Sequence, residues 1–339
     1  MNIQALGVDL GKHGCHIAGQ DTKGNLVERK QLTNKKFALY LAKLPPCNIY
    51  MEACGGAHYW ARTAISHGHT CKLIPAKFVK PFVKSNKNDW IDAEAICEAG
   101  QRPSMRFANV RSEEQQALAA LLKLRDGLVV ERTACSNRGH AFLLEFGIPV
   151  KRGRGFMNTL SGIAADLDYN IPMTLRFVLN EICEQYRSIQ EQVQRMENQL
   201  KQLVDTSEAG KRLLSIPGVG VITAGYVLAW IGNGKQFRSG REFAAWAGLV
   251  PRQYSTGGKN TLLGISKRGN NGLRKLLIHG ARSAIQWKLE GGHSWSSWMK
   301  ELLTRKPKAV AIVAMANKLA RIIWAVLVGE QSYKVKVAV

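Results

Sequence analysis

The chain has 339 residues, a length that indicates about two folded domains. Of its residues 45% are apolar and 22% are charged, and this composition excludes a disordered or low-complexity chain. It carries 48 Lys and Arg against 25 Asp and Glu, a net charge of +23. An excess that large indicates a polyanionic partner such as nucleic acid, and a merely basic soluble surface is the alternative.

The seven cysteines include no C-x-x-C pair, which gives no support to a structural zinc site and is typical of reduced thiols in the cytoplasm. The N-terminus enters a strand pattern directly, so no signal peptide is expected. The most apolar late segment, Ala309–Val328, contains Lys318 and Arg321, which favours a buried helix over a membrane span. We therefore expect a cytoplasmic protein with no membrane partner.

Residues 1–107 alternate short apolar runs with helical periodicity, which predicts an α/β domain. Three strands come first, and a turn signal at Asp21–Asn25 separates the second from the third. Three antiparallel strands followed by alternating helix and strand is the order expected of an RNase H-like (RuvC-like) domain. The predicted strands are Ile3–Leu10, Gly14–Gln20, Leu26–Leu32, Asn48–Ala53 and Cys71–Pro75, and the predicted helices are Phe37–Leu44, Gly55–His67 and Asp89–Ala99.

Residues 108–205 are predicted to be helical. One helix starts at the capping-box pattern Ser112–Gln115 and can run to Phe146. A second follows Pro172, and its apolar positions within Leu175–Leu203 recur in alternating steps of four and three, a heptad pattern that predicts a coiled coil. This pattern fits a hairpin with the preceding helix, a dimerisation arm, or both.

Residues 206–330 are predicted to be mainly helical, and no acidic residue occurs between Pro251 and Leu289. A block of one charge sign is often only a solvated face, but glycines and apolar helix positions interrupt this one, including a helix at Leu273–Ile285. We expect a folded region that presents cations to phosphates. The chain is thus predicted to be α/β plus α, with three regions at 1–107, 108–205 and 206–330.

Four carboxylates stand at predicted strand and helix ends. Asp9 and Glu52 end the first and fourth strands, and Asp89 and Asp92 lie three residues apart on one helix face. If the two strands are neighbours, the four side chains converge, and like charges then raise one another's pKa. A pair of Mg²⁺ ions about 4 Å apart offsets that repulsion and clamps both sides of a scissile phosphate.

Each of these carboxylates also has another interpretation. Asp89 and Asp92 fit a helix capping box, and Glu52 could cap the glycine turn that follows it. The Gly-x-Asp-x-Gly segment around Asp9 also suits a phosphate-binding hairpin of actin-like ATPases. Taken together, in this strand order and in so basic a chain, the four favour a catalytic metal site for phosphoryl transfer.

The segment Leu213–Ala224 resembles a helix-hairpin-helix. Its glycines, among them Gly218 and Gly220, allow a tight turn and a close backbone approach. Backbone N–H groups at the start of the following helix can hold a phosphate without reading sequence. A plain connection between two helices is the alternative.

A basic, glycine-rich exposed loop is predicted from Pro251 to Asn270. A hydroxyl beside phosphate-binding cations can attack phosphorus and form a phosphoester, and Ser255 and Thr256 are placed for this. From the chemistry alone, hydrogen bonding of these hydroxyls to a phosphate is the favoured interpretation. The expected nucleic-acid ligands of this region are Arg252, Thr256, Lys259, Lys267, Arg268 and Arg274.

Taken together, these segments resemble the DEDD transposases of insertion sequences, which are related to the Piv-type DNA invertases. The resemblance covers nearly the whole chain, and the ordered set is specific although each motif alone is weak. The segments similar to the family's RuvC-like motifs are Gly7–Asp9, Met51–Ala53 and Asp89–Ala93, and those similar to its C-terminal transposase domain are Ser215–Gly220, Phe243–Pro251 and Ser266–Asn270.

The resemblance implies that Asp9, Glu52, Asp89 and Asp92 are catalytic and bind Mg²⁺, two ions being expected. It also implies a catalytic serine in the loop after the Ala-Gly-Leu-x-Pro segment, which makes Ser255 the expected nucleophile.

The serine assignment departs from the family pattern in one respect. Family members often place the serine directly before a glycine, and Thr256 stands in that place here. An ungapped comparison would therefore choose Thr256, whereas Ser255 is the closer chemical match.

The resemblance also implies a noncoding RNA, encoded by the insertion sequence itself, that pairs with both the donor and the target DNA. The resemblance thus implies an RNA-guided, Mg²⁺-dependent recombinase that works through a covalent serine–DNA intermediate. The protein would act as a homo-oligomer, a dimer or a tetramer, and base pairing with the RNA would select the DNA sequence. Two rival hypotheses stay open. One is a Holliday-junction resolvase-like nuclease that uses only the carboxylates and water, and the other is a non-catalytic nucleic-acid-binding protein.

Overall fold

The computed structural model describes residues 3–83, 88–153, 155–290, 293 and 295–334, and a five-stranded mixed sheet organises its N-terminal part. The strands are β1 (Ala5–Leu10), β2 (Gly14–Gln20), β3 (Leu26–Thr33), β4 (Asn48–Glu52) and β5 (Thr70–Ile74). Their order is β3-β2-β1-β4-β5, with β1, β2 and β3 antiparallel and β4 and β5 parallel to β1. This order confirms the predicted strands and is consistent with an RNase H-like fold.

Helices cover both faces of this sheet: α1 (Asn34–Lys43), α2 (Ala57–Ser66), α3 (Ala76–Val79) and α4 (Asp89–Gly100), with a 3₁₀ turn at Lys80–Phe82. Successive strand residues point to opposite faces. Leu6 and Val8 of β1 therefore pack into the apolar core of α1 and α2, whereas Ala5 packs with α4. Gly7 and Asp9 share the α4 face with Ala5.

The contact between β1 and α4 is a main-chain contact at Gly7. A Cβ atom on Gly7 would lie 2.1 Å from the carbonyl oxygen of Ala93 and 2.6 Å from the amide nitrogen of Cys97. Only glycine permits so close an approach. The missing side chain at Gly7 therefore brings the first turn of α4 to the end of β1, where Asp9 lies.

Gly7→Ala is expected to destabilise the fold by about 3 kcal/mol, because the added methyl group must push α4 off the sheet. Gly55→Ala is the matched control, since nothing lies within 4 Å of a Cβ atom at that position. Urea denaturation of the two variants measures the difference in their free energies of unfolding. Equal stability of the two variants would contradict the close approach.

The chain divides into two compact units, residues 1–113 and 114–339. The segment after α4 stays with the first unit, because Ala108 bridges to Leu73 of β5 and the Arg111 carbonyl accepts a 2.9 Å hydrogen bond from Arg62. The second unit contains both the predicted helical region (108–205) and the predicted C-terminal region (206–330), apart from the first few residues of the former. A domain boundary between these two regions stays a prediction.

Two long helices, α5 (Glu113–Glu145) and α7 (Met173–Thr206), run antiparallel to each other. Leu128 of α5 is buried against Ile189 and Val193 of α7. The predicted hairpin within the chain is therefore present, and dimerisation through it stays a prediction. Polar contacts along the pair include those of Arg125 with Glu197, Arg132 with Gln190 and Arg138 with Gln185.

A further helix, α6 (Phe156–Ala165), lies in the connection between α5 and α7 and has no counterpart among the predicted elements. Arg176 of α7 is only 6% exposed, and its guanidinium donates to carbonyl oxygens in and after the last turn of α6. These bonds satisfy groups that a helix C-terminus otherwise leaves free.

The C-terminal core is formed by α8 (Glu208–Leu214), α9 (Val221–Trp230), α10 (Gly240–Trp246), α11 (Asn271–Lys288), α12 (Ser296–Arg305) and α13 (Lys308–Gly329). By length and composition α13 could cross a membrane, but 50% of its most apolar window is buried. Leu319, Ala320 and Ile323 are fully buried in the core. The structure thus supports the predicted buried helix.

The predicted exposed loop between α10 and α11 contains a β-hairpin, β6 (Pro251–Gln253) and β7 (Leu262–Ile265), which sequence analysis did not predict. At its tip the Lys259 amide donates to the Thr256 carbonyl at 3.0 Å. Gly257 and Gly258 between them have φ of +53° and +75°, and a tight turn with two positive φ angles strongly favours glycine. The hairpin is exposed, as predicted.

Candidate active site

The first turn of α4 carries two acidic side chains that do not cap the helix. The cap is Asn88, whose side-chain oxygen accepts a 3.0 Å hydrogen bond from the Trp90 amide. The capping-box interpretation of Asp89 and Asp92 is therefore wrong. Their negative charges at this helix end are favoured by the helix dipole, and both carboxylates face solvent or the sheet.

Three carboxylates converge at this point. Asp9, Asp89 and Asp92 each offer an oxygen, and these oxygens lie within 4.8 Å of one another. Asp9 and Asp92 are half-buried, whereas Asp89 is exposed, so the group is open to solvent on one side. Carboxylate oxygens are the ligands that Mg²⁺ and Ca²⁺ prefer, and this group could hold such a cation.

Glu52 lies on the strand next to Asp9, as predicted. The ladder between β1 and β4 pairs Val8 with Met51, so Asp9 and Glu52 follow on neighbouring strands. Its oxygens do not belong to the group within 4.8 Å. The N-cap of α2 is Gly56, which has no side chain with which to cap the helix, so Glu52 is not the capping residue of α2.

The electrostatics of the cluster favour a bound cation. Burial raises the pKa of Asp9 above its ordinary value of 3.8, and the charges of Asp92, Asp89 and Glu52 raise it further. Each effect disfavours the ionised carboxylate. A divalent cation among these oxygens would reverse the balance, because it attracts every one of them.

His16 lies beside the carboxylates and was missed by sequence analysis. The antiparallel ladder pairs it directly with Asp9, and its Nδ1 is 3.6 Å from Oδ2 of Asp89. Its ring packs edge-on against Trp90 with 4.7 Å between centroids. The signal was the tight turn at Gly11–Gly14, from which the residue opposite Asp9 can be counted.

Ser255 lies on the β6–β7 hairpin with its side chain exposed. Its Oγ accepts a 2.9 Å hydrogen bond from Nε2 of Gln253. Since the amide can only donate, the serine keeps its own proton for another acceptor. Thr256 is the next residue and begins the Gly-Gly turn, so both hydroxyls are accessible at the tip.

The turn after β7 is tightly held. Lys267 adopts a φ of 53°, and its amide donates to the Gly248 carbonyl at 3.2 Å. A left-handed backbone at a residue other than glycine is strained and clusters at ligand-binding segments. The exposed cations of this region are Arg252, Lys259, Lys267 and Arg268.

Arg274 has surroundings that differ from those of the other predicted phosphate ligands. Its side chain is 8% exposed, donates to the Ala247 carbonyl at 3.2 Å and bonds Asn271 at 2.7 Å. A guanidinium so engaged is unavailable to a phosphate. We therefore assign Arg274 to packing between α10 and α11 and correct its prediction as a nucleic-acid ligand.

The two predicted hairpin glycines have different surroundings. Gly218 has a φ of 87°, and a Cβ atom there would lie 2.4 Å from the Gly280 carbonyl oxygen of α11, so its structural role is a close helix contact. Gly220 is exposed, begins α9, and has nothing within 4 Å of its Cβ position. Its binding of a phosphate stays a prediction.

Comparison with known proteins agrees with this architecture. Residues 6–148 match the IS110-type DEDD family described as "Transposase", and residues 210–295 match "Transposase IS116/IS110/IS902 family". The chain is 46% identical to the transposase for insertion sequence element IS1328 of Yersinia enterocolitica, over 96% of this chain and 97% of that protein. It is 44% identical to a probable family 20 transposase of Pseudomonas aeruginosa, over 98% and 99% of the two chains.

A more distant similarity connects the chain to a DNA-inverting protein. The pilin gene-inverting protein of Moraxella bovis is 24% identical over 96% of both chains. The fold and these similarities define a transposase, an enzyme that cleaves and recombines DNA. The chain belongs to the IS110 family of DEDD transposases of insertion sequences.

Proposed function

We propose that this transposase exchanges DNA strands in a Mg²⁺-dependent, RNA-guided reaction that passes through a covalent bond between Ser255 and DNA. The observation that carries the proposal is the convergence of Asp9, Asp89 and Asp92 within 4.8 Å. Such a group suits a hard divalent cation, and in a chain of net charge +23 the natural substrate is a nucleic-acid phosphate.

The residues that would hold the metal are Asp9, Asp89 and Asp92, with Glu52 completing the set from the neighbouring strand. When bound, Mg²⁺ supplies charge stabilisation at the attacking and leaving oxygens of a phosphoryl transfer. The protein contributes the positions of the carboxylates. The rings of Trp90 and His16 pack edge-on against each other, with 4.7 Å between their centroids. This contact ties the first turn of α4, which carries Asp89, to β2.

In the proposed covalent step Ser255 Oγ attacks a backbone phosphorus. The Oγ–P bond forms while the bond from phosphorus to the 3′-oxygen breaks, the serine gives up its proton, and the 3′-oxygen takes one up. The reverse reaction with the 3′-hydroxyl of another strand restores Ser255 and joins the new strand. Bond number is conserved, so no other energy source is needed.

The serine needs a proton acceptor that Gln253 cannot supply, because its amide donates to Oγ. We propose that the DNA brings Ser255 to the carboxylate set of a second protomer. Exposed side chains on α5 and α7 support assembly into a dimer or tetramer through these helices, since Val130 is 68%, Met173 72% and Phe177 64% exposed.

Phosphates near the serine would be neutralised by the exposed cations Arg252, Lys259, Lys267 and Arg268, with Thr256 as a further ligand. The amide of Gly220, at the N-cap of α9, would hold another backbone phosphate. Such contacts hold the backbone without reading bases. Sequence choice by a noncoding guide RNA of the element, paired with both donor and target DNA, supplies what these contacts cannot. We place the reaction in the cytoplasm.

RNA guidance is tested by purifying the protein from cells that carry its native flanking DNA and sequencing the RNA that survives a high-salt wash. We expect one discrete RNA, encoded beside the gene and complementary to two DNA sites. A heterogeneous RNA mixture that salt removes would mean electrostatic binding only, and the resolvase-like alternative would then be preferred. Protein purified without the flanking DNA is the control.

A further inference from the structure

Helix α11 exposes one polar and basic face along its whole length. The opposite face is buried in the C-terminal core through Leu273, Leu277 and Ala281. The exposed positions recur at steps of four and three, so they form a single stripe on the helix. The residues of this α11 stripe are Asn271, Lys275, His279, Arg282 and Gln286.

Trp287 follows the last residue of the stripe in sequence, its side chain leaves the helix about 100° further round, and that side chain is 73% exposed. A tryptophan is normally mostly buried, and large exposed apolar groups mark binding surfaces. No acidic residue occurs between Pro251 and Leu289, so the cations of Lys275 and Arg282 have no acidic neighbour on their own helix. Helix α11 thus presents positive charge along one side and one large accessible aromatic ring about a third of a turn further round, near its C-terminal end.

We propose that the α11 stripe and Trp287 bind an unpaired nucleic-acid strand. Lys275 and Arg282 contact backbone phosphates, and the Trp287 indole stacks on a base. Lys275 and Trp287 are twelve residues apart, which is about 18 Å along the helix and about 120° around it, so a strand that contacts both passes round the C-terminal end of α11. The inference rests on the proposed function, because it names the form of nucleic acid that this surface takes.

The exposed ring distinguishes a single strand from a duplex. In a duplex the base faces are stacked on one another, and a protein meets only phosphates and base edges. In an unpaired strand each base offers a free face, and stacking on an aromatic side chain adds about 1–3 kcal/mol per base. Cations alone would serve either form, so Trp287 carries the distinction.

The test measures binding of the full-length protein to dye-labelled strands by fluorescence anisotropy. The probes are oligothymidylate, oligouridylate, an abasic strand of the same length and a mixed-sequence duplex. Trp287→Ala is expected to weaken binding of the first two about tenfold and to leave the abasic strand and the duplex within twofold. Trp287→Phe, which keeps a stacking ring, is expected to recover most of the loss.

Charge and control variants complete the test. Lys275→Gln with Arg282→Gln is expected to lower the slope of log affinity against log salt by about 1.4 for every single strand, because two phosphate contacts are lost. Tyr59→Ala, which removes a ring that is 54% exposed in the first unit, is expected to change nothing. Unequal losses on the thymidine and uridine strands would identify DNA or RNA as the ligand.

Three results would overturn the inference: no loss in Trp287→Ala, an equal loss on the abasic strand, or a larger loss on the duplex. None of them bears on the carboxylate chemistry, since α11 carries none of the four acidic residues. Conversely, failure of the Asp9 variant described below to lose cleavage would leave strand binding by α11 intact. The two hypotheses can therefore fail separately.

Discussion

Asp9→Asn is expected to reduce DNA cleavage and strand exchange by more than about a hundredfold, since even partners outside the metal ligands typically cost 10–100-fold when removed. Asparagine keeps the size of the side chain and removes its charge, so the loss reports metal binding rather than packing. Cleavage of a labelled donor DNA at fixed Mg²⁺ measures it.

The same variant is expected to unfold at a higher temperature than the wild type when no metal is present. Burial raises the pKa of Asp9, and the charges of Asp92, Asp89 and Glu52 raise it further. A raised folded-state pKa means that ionisation of Asp9 destabilises the fold as the pH rises above 3.8, the ordinary value. At neutral pH the uncharged amide removes this repulsion.

Adding Mg²⁺ reverses the comparison. We expect Mg²⁺ to raise the unfolding temperature of the wild type, because a ligand that binds only the folded state stabilises it, and to leave that of Asp9→Asn unchanged. Asp21→Asn is the matched control, the same substitution in the exposed turn between β2 and β3. Equal stabilisation of wild type and Asp9→Asn by Mg²⁺ would sink the metal assignment.

Ser255→Ala is expected to abolish strand exchange and with it the covalent protein–DNA adduct. The side chain is exposed and receives one hydrogen bond, from Gln253, so stability and DNA affinity should stay close to those of the wild type. The adduct is measured as labelled DNA that migrates with the protein after denaturing electrophoresis.

Thr256→Ala is the control that separates the two neighbouring hydroxyls. It is expected to retain the adduct, because the structural role of Thr256 in the turn is its main-chain carbonyl, which accepts from Lys259. An adduct present in Ser255→Ala and absent in Thr256→Ala would transfer the nucleophile to Thr256. Full exchange without an adduct in both variants would favour hydrolysis by water followed by attack of the freed 3′-hydroxyl on the other strand.

The sheet was predictable because its signals are local. Short apolar runs separated by turn residues specify β1 to β5. That β1 and β4 are neighbours was a condition in the prediction, and the structure pairs them in parallel. The positions of Asp9 and Glu52 at neighbouring strand ends then follow from counting. Asp89 and Asp92 could likewise be assigned to one face from their spacing of three residues.

Other features depend on contacts that a single sequence does not display. Arg274 belongs to a run of cations, and only its packing against the Ala247 carbonyl separates it from its exposed neighbours. The β6–β7 hairpin has weak strand patterning, with β6 fully exposed, so no buried face reveals it. His16, by contrast, could have been found from the sequence, because the short turn at Gly11–Gly14 sets the register that pairs it with Asp9.

The contact of Gly7 with the backbone of Ala93 and Cys97 affects which genomic copies of the insertion sequence stay mobile. Most substitutions in the core lower the stability of the fold and leave the four carboxylates in place. Any side chain at position 7, in contrast, moves β1 away from α4, the helix that carries Asp89 and Asp92. Genomic copies of an insertion sequence decay by random mutation. A copy with another residue at position 7 is expected to be immobile even when all four acids are intact.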